Sequence, residues 1–81
     1  MSTSDPILEH VIGVFRQIFP EEAIDRESDF FDLGGDSLTI VTFCAALEER
    51  LEAEVHPSMI IYYPTAEELA AELTVRSQAG A

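Results

Sequence analysis

Lysine is missing from this 81-residue chain, and Arg16, Arg26, Arg50 and Arg76 stand alone against 16 acidic residues. The resulting formal net charge of -12 repels nucleic acid and anionic lipid, and it draws basic protein surfaces over long range. Cysteine is reduced to Cys44, so no disulfide framework can support the fold, and a reducing compartment is expected. No apolar run reaches membrane-spanning length, and Met1–Pro6 is polar rather than signal-like. The expected setting is therefore cytoplasmic, with neither membrane nor nucleic acid as partner. Internal repeats and low-complexity tracts are absent as well. What remains reads as one domain, residues 1–81, with an ordered core over 5–75 and a frayed tail over 76–81. A chain of this size buries only about 60% of its unfolded surface, but a hydrophobic content of 47% argues against disorder.

The apolar spacing predicts helices. Asp5-Pro6 supplies a cap and a first-position proline. Leu8, Val11, Ile12, Phe15, Ile18 and Phe19 then recur on one face until Pro20. A second helix is predicted over Ser37–Leu51, with Ile40, Phe43, Cys44, Leu47 and Leu51 as its core stripe. His56-Pro57 opens a short third helix containing Met59, Ile60, Ile61, Tyr62 and Tyr63, too many apolar residues for so short a piece to bury entirely. Thr65-Ala66-Glu67-Glu68 is a capping box for a fourth, with Ala66, Leu69, Ala70 and Leu73 on its face. Val55 plugs the core after the second helix. The fold class is all-α: a bundle of three main helices plus one short helix, with a long loop over Glu21–Gly35 between the first two. Long loops in compact domains are usually functional or disordered. This one carries Ile24, Phe30, Phe31 and Leu33, and is expected to pack on the helices. Its Asp25, Glu27 and Asp29 fit the opening ligand positions of a calcium loop, but the glycine such a loop needs falls on Phe30, so no metal is expected.

The informative stretch is Asp29-Phe30-Phe31-Asp32-Leu33-Gly34-Gly35-Asp36-Ser37-Leu38. The aromatic pair anchors the loop, and Gly34 and Gly35 allow positive φ and a close approach by another backbone. Asp36 is a preferred N-cap residue. Ser37 lies on the first helical turn, where free N–H groups and the positive end of the helix dipole favour phosphate. A serine at a helix start is also a common cap. The nine-residue string Phe30–Leu38 resembles the attachment motif of peptidyl and acyl carrier proteins, and the resemblance extends over nearly the whole chain, including Pro64-Thr65 before the last helix. It implies that Ser37 carries 4'-phosphopantetheine, donated by coenzyme A through a phosphopantetheinyl transferase, with Gly34, Gly35 and Asp36 as supporting motif residues. It implies no catalytic residue. The cargo would be an aminoacyl, peptidyl or acyl group in nonribosomal peptide or polyketide-type biosynthesis. Implied partners are an adenylating or acyl-transferring loading enzyme and downstream synthase, condensation or tailoring enzymes, visited by a monomer. The chain starts with Met1 and stops just past its last helix, so a stand-alone, type II carrier is expected.

Leu38, Val41 and Ala45 form a second apolar stripe on the second helix, either the edge of a wide buried face or an exposed docking strip. Glu48, Glu49, Glu52 and Glu54 crowd the C-terminal end of that helix, where negative charge opposes the dipole by a few tenths of a kcal/mol each. Such placement suggests a use elsewhere, such as meeting arginines on a partner. The resemblance likewise marks Glu48 and Glu49 as recognition positions, with Ile60 and Ile61 as further docking candidates. Thr42 departs from it, because fatty-acid carriers often have an acid there. Two other functions compete. A small hydrolase using Ser37 would need a Gly-x-Ser-x-Gly elbow, but the final position is Thr39. A triad would also need an oriented histidine. His10 has no partner that would make it catalytic, while His56, which could be read as a general base, is expected as an exposed residue flanking the third helix. A helical protein–protein adaptor without cofactor explains the helices and the charge, but not the framed serine.

Overall fold

The computed structural model describes residues 5–79, with side chains as far as Ser77. Four helices make up the described part: α1 (Pro6–Ile18), α2 (Ser37–Leu51), α3 (Pro57–Tyr62) and α4 (Ala66–Ala79). The predicted starts hold for local reasons. Asp5 accepts the Leu8 N–H at 3.2 Å, with Pro6 at the first helical position. Thr65 accepts the Glu68 N–H at 3.2 Å, while its hydroxyl donates to the Glu68 carboxylate at 2.9 Å. The fourth helix continues to Ala79, beyond the expected fraying point at residue 76. The Arg76–Glu72 pair at 2.8 Å, one turn apart, supports that last stretch. Gly80 and Ala81, also assigned to a frayed tail, lie outside the described residues.

α1 packs against both α2 and α4, and α3 against α2. Val11, Val14 and Phe15 from α1 meet Ile40, Phe43, Cys44 and Leu47 from α2, Met59 and Ile60 from α3, and Ala66, Leu69, Ala70 and Leu73 from α4 in one core. Val55 plugs it as expected, and Val14 is a core residue that the spacing did not select. No buried side-chain polar atom among the described residues lacks a hydrogen-bond partner, as a small core requires.

The long loop is packed and hydrogen-bonded. Phe30 is fully buried, with its ring edge-to-face against Phe43 at 5.4 Å, Phe19 at 5.5 Å and Phe15 at 6.4 Å. The Phe30 N–H donates to the Pro64 carbonyl at 2.9 Å, and Ala66 and Glu67 N–H groups donate back to Ser28 and Arg26 carbonyls. The loop is thereby tied to the head of α4. Phe31, expected as a second anchor, is 42% exposed, with its ring roughly perpendicular to Phe30 at 5.3 Å. Two of the three carboxylates that fit a calcium loop by spacing are turned inward on their own backbone: Asp25 accepts the Glu27 N–H, and Asp29 accepts the Phe31 and Asp32 N–H groups, while Glu27 is exposed. No acidic, histidine or cysteine group among the described residues is arranged to hold a metal.

Removing the Phe30 ring should cost about 3–5 kcal/mol, as for other buried Phe→Ala changes. In so small a domain that removes most of the stability. Urea denaturation of Phe30→Ala beside the parent chain checks it, with Phe31→Ala expected to lose less than half as much.

Candidate functional site

Gly35, Asp36 and Ser37 are placed by contacts on either side. On the N-terminal side the loop closes on itself, with the Gly34 N–H on the Phe31 carbonyl and the Gly35 N–H on the Phe30 carbonyl, both at 3.0 Å. Gly34 has φ of +99°, a conformation that disfavours any side chain, and a Cβ there would meet open space. Gly35 differs from expectation. A Cβ on it would strike the Phe30 ring, whose Cζ would lie 2.7 Å away. Its missing side chain therefore makes room for the protein's own core, not for another protein's backbone.

On the C-terminal side α2 begins at Ser37, with Asp36 as its cap. The Asp36 Oδ1 accepts the Thr39 N–H at 2.9 Å and the Thr39 hydroxyl at 2.8 Å. These bonds, above all the one from the Thr39 N–H, hold the Asp36 carboxyl below its ordinary pKa. Capping is thus complete between Asp36 and Thr39. Ser37 occupies the first helical position, is exposed, and takes no part in the cap. Around it are first-turn N–H groups of the kind a helix cannot satisfy internally, with the dipole's positive end behind them. The arrangement offers one accessible hydroxyl where a phosphate group would be stabilised.

The proposed docking residues separate on burial. Leu38 is 80% and Val41 61% exposed, and Ala45 is exposed beside them, so the second stripe on α2 faces solvent. Ile61 is 58% exposed, but Ile60 is 1% exposed and belongs to the core. Packing of α3 on α2 buries Ile60 together with Met59. Tyr62, 74% exposed, is the residue on α3 that the apolar run concealed. Glu49 is exposed, whereas Glu48 is half-buried and its Oε2 accepts the Val55 N–H at 2.9 Å. Its carbonyl also accepts the N–H of Glu52, which ends α2 in the left-handed conformation. The acid at position 48 therefore closes the α2–α3 turn, which answers its unfavourable position along the helix dipole. His56, the N-cap of α3, is exposed and lies 3.8 Å from Glu54. Cys44 is buried, and its thiol is pushed up to about 11 by burial and then by Glu48. It stays a protonated core group at neutral pH.

A family model described as a phosphopantetheine attachment site matches residues 6–73. The chain is 32% identical over 76 residues to the large subunit of L-2-aminoadipate reductase from Eremothecium gossypii, covering 91% of this chain and 6% of that protein. It is 38% identical over 55 residues to pyochelin synthetase PchF of Pseudomonas aeruginosa, covering 67% and 3%. It is 41% identical over 61 residues to mycoketide-CoA synthase of Mycobacterium tuberculosis, covering 75% and 1%. The chain thus spans between 1% and 6% of the length of these relatives. Among solved structures it resembles BlmI, a type-II acyl carrier protein from Streptomyces verticillus involved in bleomycin biosynthesis. The TM-score is 0.79 at 16% identity, over 86% of this chain and 84% of that one. A nonribosomal PCP domain gives a TM-score of 0.73 at 21% identity, over 86% and 90%. At such identities the two structural likenesses speak for the fold.

Two outcomes are expected here. Glu48→Lys should lose about 1–3 kcal/mol of stability, because the Val55 N–H is left without its acceptor, while Glu49→Lys stays within about 0.5 kcal/mol. Denaturation midpoints of the pair check this. The Asp36 carboxyl should titrate by NMR below the usual carboxylate range, and Thr39→Ala should raise it. Because the folded value is the lower one, Asp36 stabilises the fold above the unfolded carboxylate pKa. That contribution is lost as pH falls through the folded value.

Proposed function

The chain belongs to the phosphopantetheine attachment-site family, whose members carry that group covalently, and on this premise we propose that Ser37 is the residue that takes the arm. The observation that carries the reading is the division of labour at the head of α2. Asp36 and Thr39 complete the cap between them, and Ser37 is left exposed on the first turn with no structural duty. A serine that was only a cap would accept the N–H that Asp36 accepts here. The residues fit a phosphodiester. Ser37 supplies the oxygen, and the first-turn amides and helix dipole favour the negative charge. When bound, the group supplies a terminal thiol on which acyl groups are held as thioesters.

The chain's own residues supply presentation and recognition. It acts as a substrate of other enzymes: a phosphopantetheinyl transferase, a loading enzyme, and the synthase, condensation or tailoring enzymes that follow. Leu38, Val41 and Ala45 on α2, with Ile61 and Tyr62 on α3, give partners an apolar strip that costs the core nothing to expose. Glu49 and the net charge of -12 steer basic partner surfaces toward it. Contacts of this kind suit short visits better than permanent assembly. The buried, protonated Cys44 leaves the arm's thiol without a competing thiolate on the protein, and the lack of lysine leaves no side-chain amine to intercept a thioester. Cargo of the nonribosomal peptide or polyketide kind is supported by the named products of the relatives, among them pyochelin synthetase and mycoketide-CoA synthase. A cytoplasmic setting is supported by the single buried cysteine. No helix among the described residues is long and apolar enough to cross a membrane.

Incubation with coenzyme A, magnesium and a promiscuous phosphopantetheinyl transferase should add the mass of one arm to the parent chain and none to Ser37→Ala. An unchanged parent mass, with a control carrier modified in parallel, leaves the adaptor reading in possession. For recognition, Leu38→Ala and Val41→Ala should each lower the transferase kcat/KM by about tenfold, with stability held within about 0.5 kcal/mol because neither side chain is buried.

A further inference from the structure

Two of the four arginines are committed to acids. Arg26 Nε lies 3.1 Å from Glu67 Oε1, and Arg76 Nε lies 2.8 Å from Glu72 Oε2. Arg16 and Arg50 have no carboxylate within 4.0 Å among the described residues, in a chain of 16 acids. Both line the same groove between α1 and α2, of about 460 Å³, whose other walls are Glu9, Ile12 and Gly13.

Gly13 sits inside α1, where glycine is less stable than alanine. A Cβ at this position would run into the Arg50 guanidinium, with Cζ 2.9 Å away. The space given up by the glycine is therefore filled by a positively charged head, seated against α1 one turn from Arg16. Cations near the last turns of α1 and α2 complement the helix dipoles. That accounts for their positions along each helix. It does not require both to face one groove, nor a glycine beneath one of them. Glu9 is the one acid lining the groove, against two arginines, and it lies beyond 4.0 Å of both, so the groove keeps an excess of positive charge. The planar guanidinium forks match the paired oxygens of a carboxylate or phosphate.

We propose that this groove is an oxyanion-binding site, taking a carboxylate or phosphate group on Arg16 and Arg50. It is independent of anything attached to Ser37. Glu9, two turns before Arg16 on α1, opposes the anion and limits affinity. Both arginines are exposed, so binding is modest and is read at low salt.

The arginine Nε–Hε signals provide a direct test, since the chain has only four and no lysine. The full chain is titrated at low salt with a blocked Glu-Glu dipeptide in one series and inorganic phosphate in another. The Arg16 and Arg50 signals should move ahead of Arg26 and Arg76 in at least one series, and the tighter probe identifies whether carboxylate or phosphate is the natural chemistry. Arg16→Gln and Arg50→Gln should each weaken binding about tenfold, and Glu9→Gln should strengthen it. Gly13→Ala is the decisive variant. It should raise Tm, as a helix-interior glycine replacement does, while weakening binding about threefold or more by displacing Arg50. Four arginines moving alike, no movement with either probe, or a Gly13→Ala chain that binds as well as the parent overturns the proposal.

Discussion

The contact on which the molecule turns is that between the Phe30 ring and the backbone of Gly35. Phe30 is fully buried in T-shaped contact with Phe15, Phe19 and Phe43. Gly35 lies on that ring with no room for a Cβ, and the next residue caps α2. The start of the helix is thereby referenced to the aromatic core rather than left to a free loop. The role proposed for Ser37, a hydroxyl presented to several visiting enzymes, requires it to be accessible and fixed at once. The loop achieves both by burying the residue seven positions before Ser37 and exposing Ser37 itself.

Charge is used with similar economy. Asp36 is a structural acid: its carboxylate is occupied by Thr39, and its depressed pKa reports those bonds. Glu48 is structural too, closing the turn into α3 through the Val55 N–H. Glu49, Glu52 and Glu54 are exposed, and the proposed long-range attraction of basic partners would give their placement at and beyond the end of the helix a use. The apolar surface divides the same way. Ile40, Phe43, Cys44 and Leu47 build the core from one side of α2, while Leu38 and Val41 hold apolar area in water on the other. Exposed apolar residues of that size, one and four positions after Ser37, support the interaction surface proposed for this helix.

Much of this architecture is legible in the order of the residues alone. Asp-Pro, Asp-Ser and Thr-x-x-Glu are capping signals whose chemistry is local, so the starts of α1, α2 and α4 follow from a few neighbouring residues. The extent of α2, Ser37–Leu51, follows from three-and-four spacing and agrees with the structure. What spacing cannot supply are contacts between residues brought together only by folding. Nothing local says that Gly35 must clear the Phe30 ring, that Gly13 makes way for Arg50, or that Glu48 reaches Val55. The apolar run Met59–Tyr63, four residues on α3 and its C-cap, carries no period, so only the packing of α3 on α2 tells Ile60 from Ile61. The placement of Ser37 on the first turn is legible. Its freedom from the cap is not, because either Asp36 or Ser37 could cap the helix.

The most direct test of the account is a site assignment on protein isolated from its native cells. Trypsin has only arginines to cut after, so residues 27–50 emerge as one peptide carrying both Ser28 and Ser37. Ser28 is half-buried, and its hydroxyl is engaged with Asp25. Fragmentation of that peptide should place a phosphodiester-linked phosphopantetheine on Ser37 alone. An arm on Ser28, or an unmodified peptide in cells whose other carriers are loaded, would contradict it.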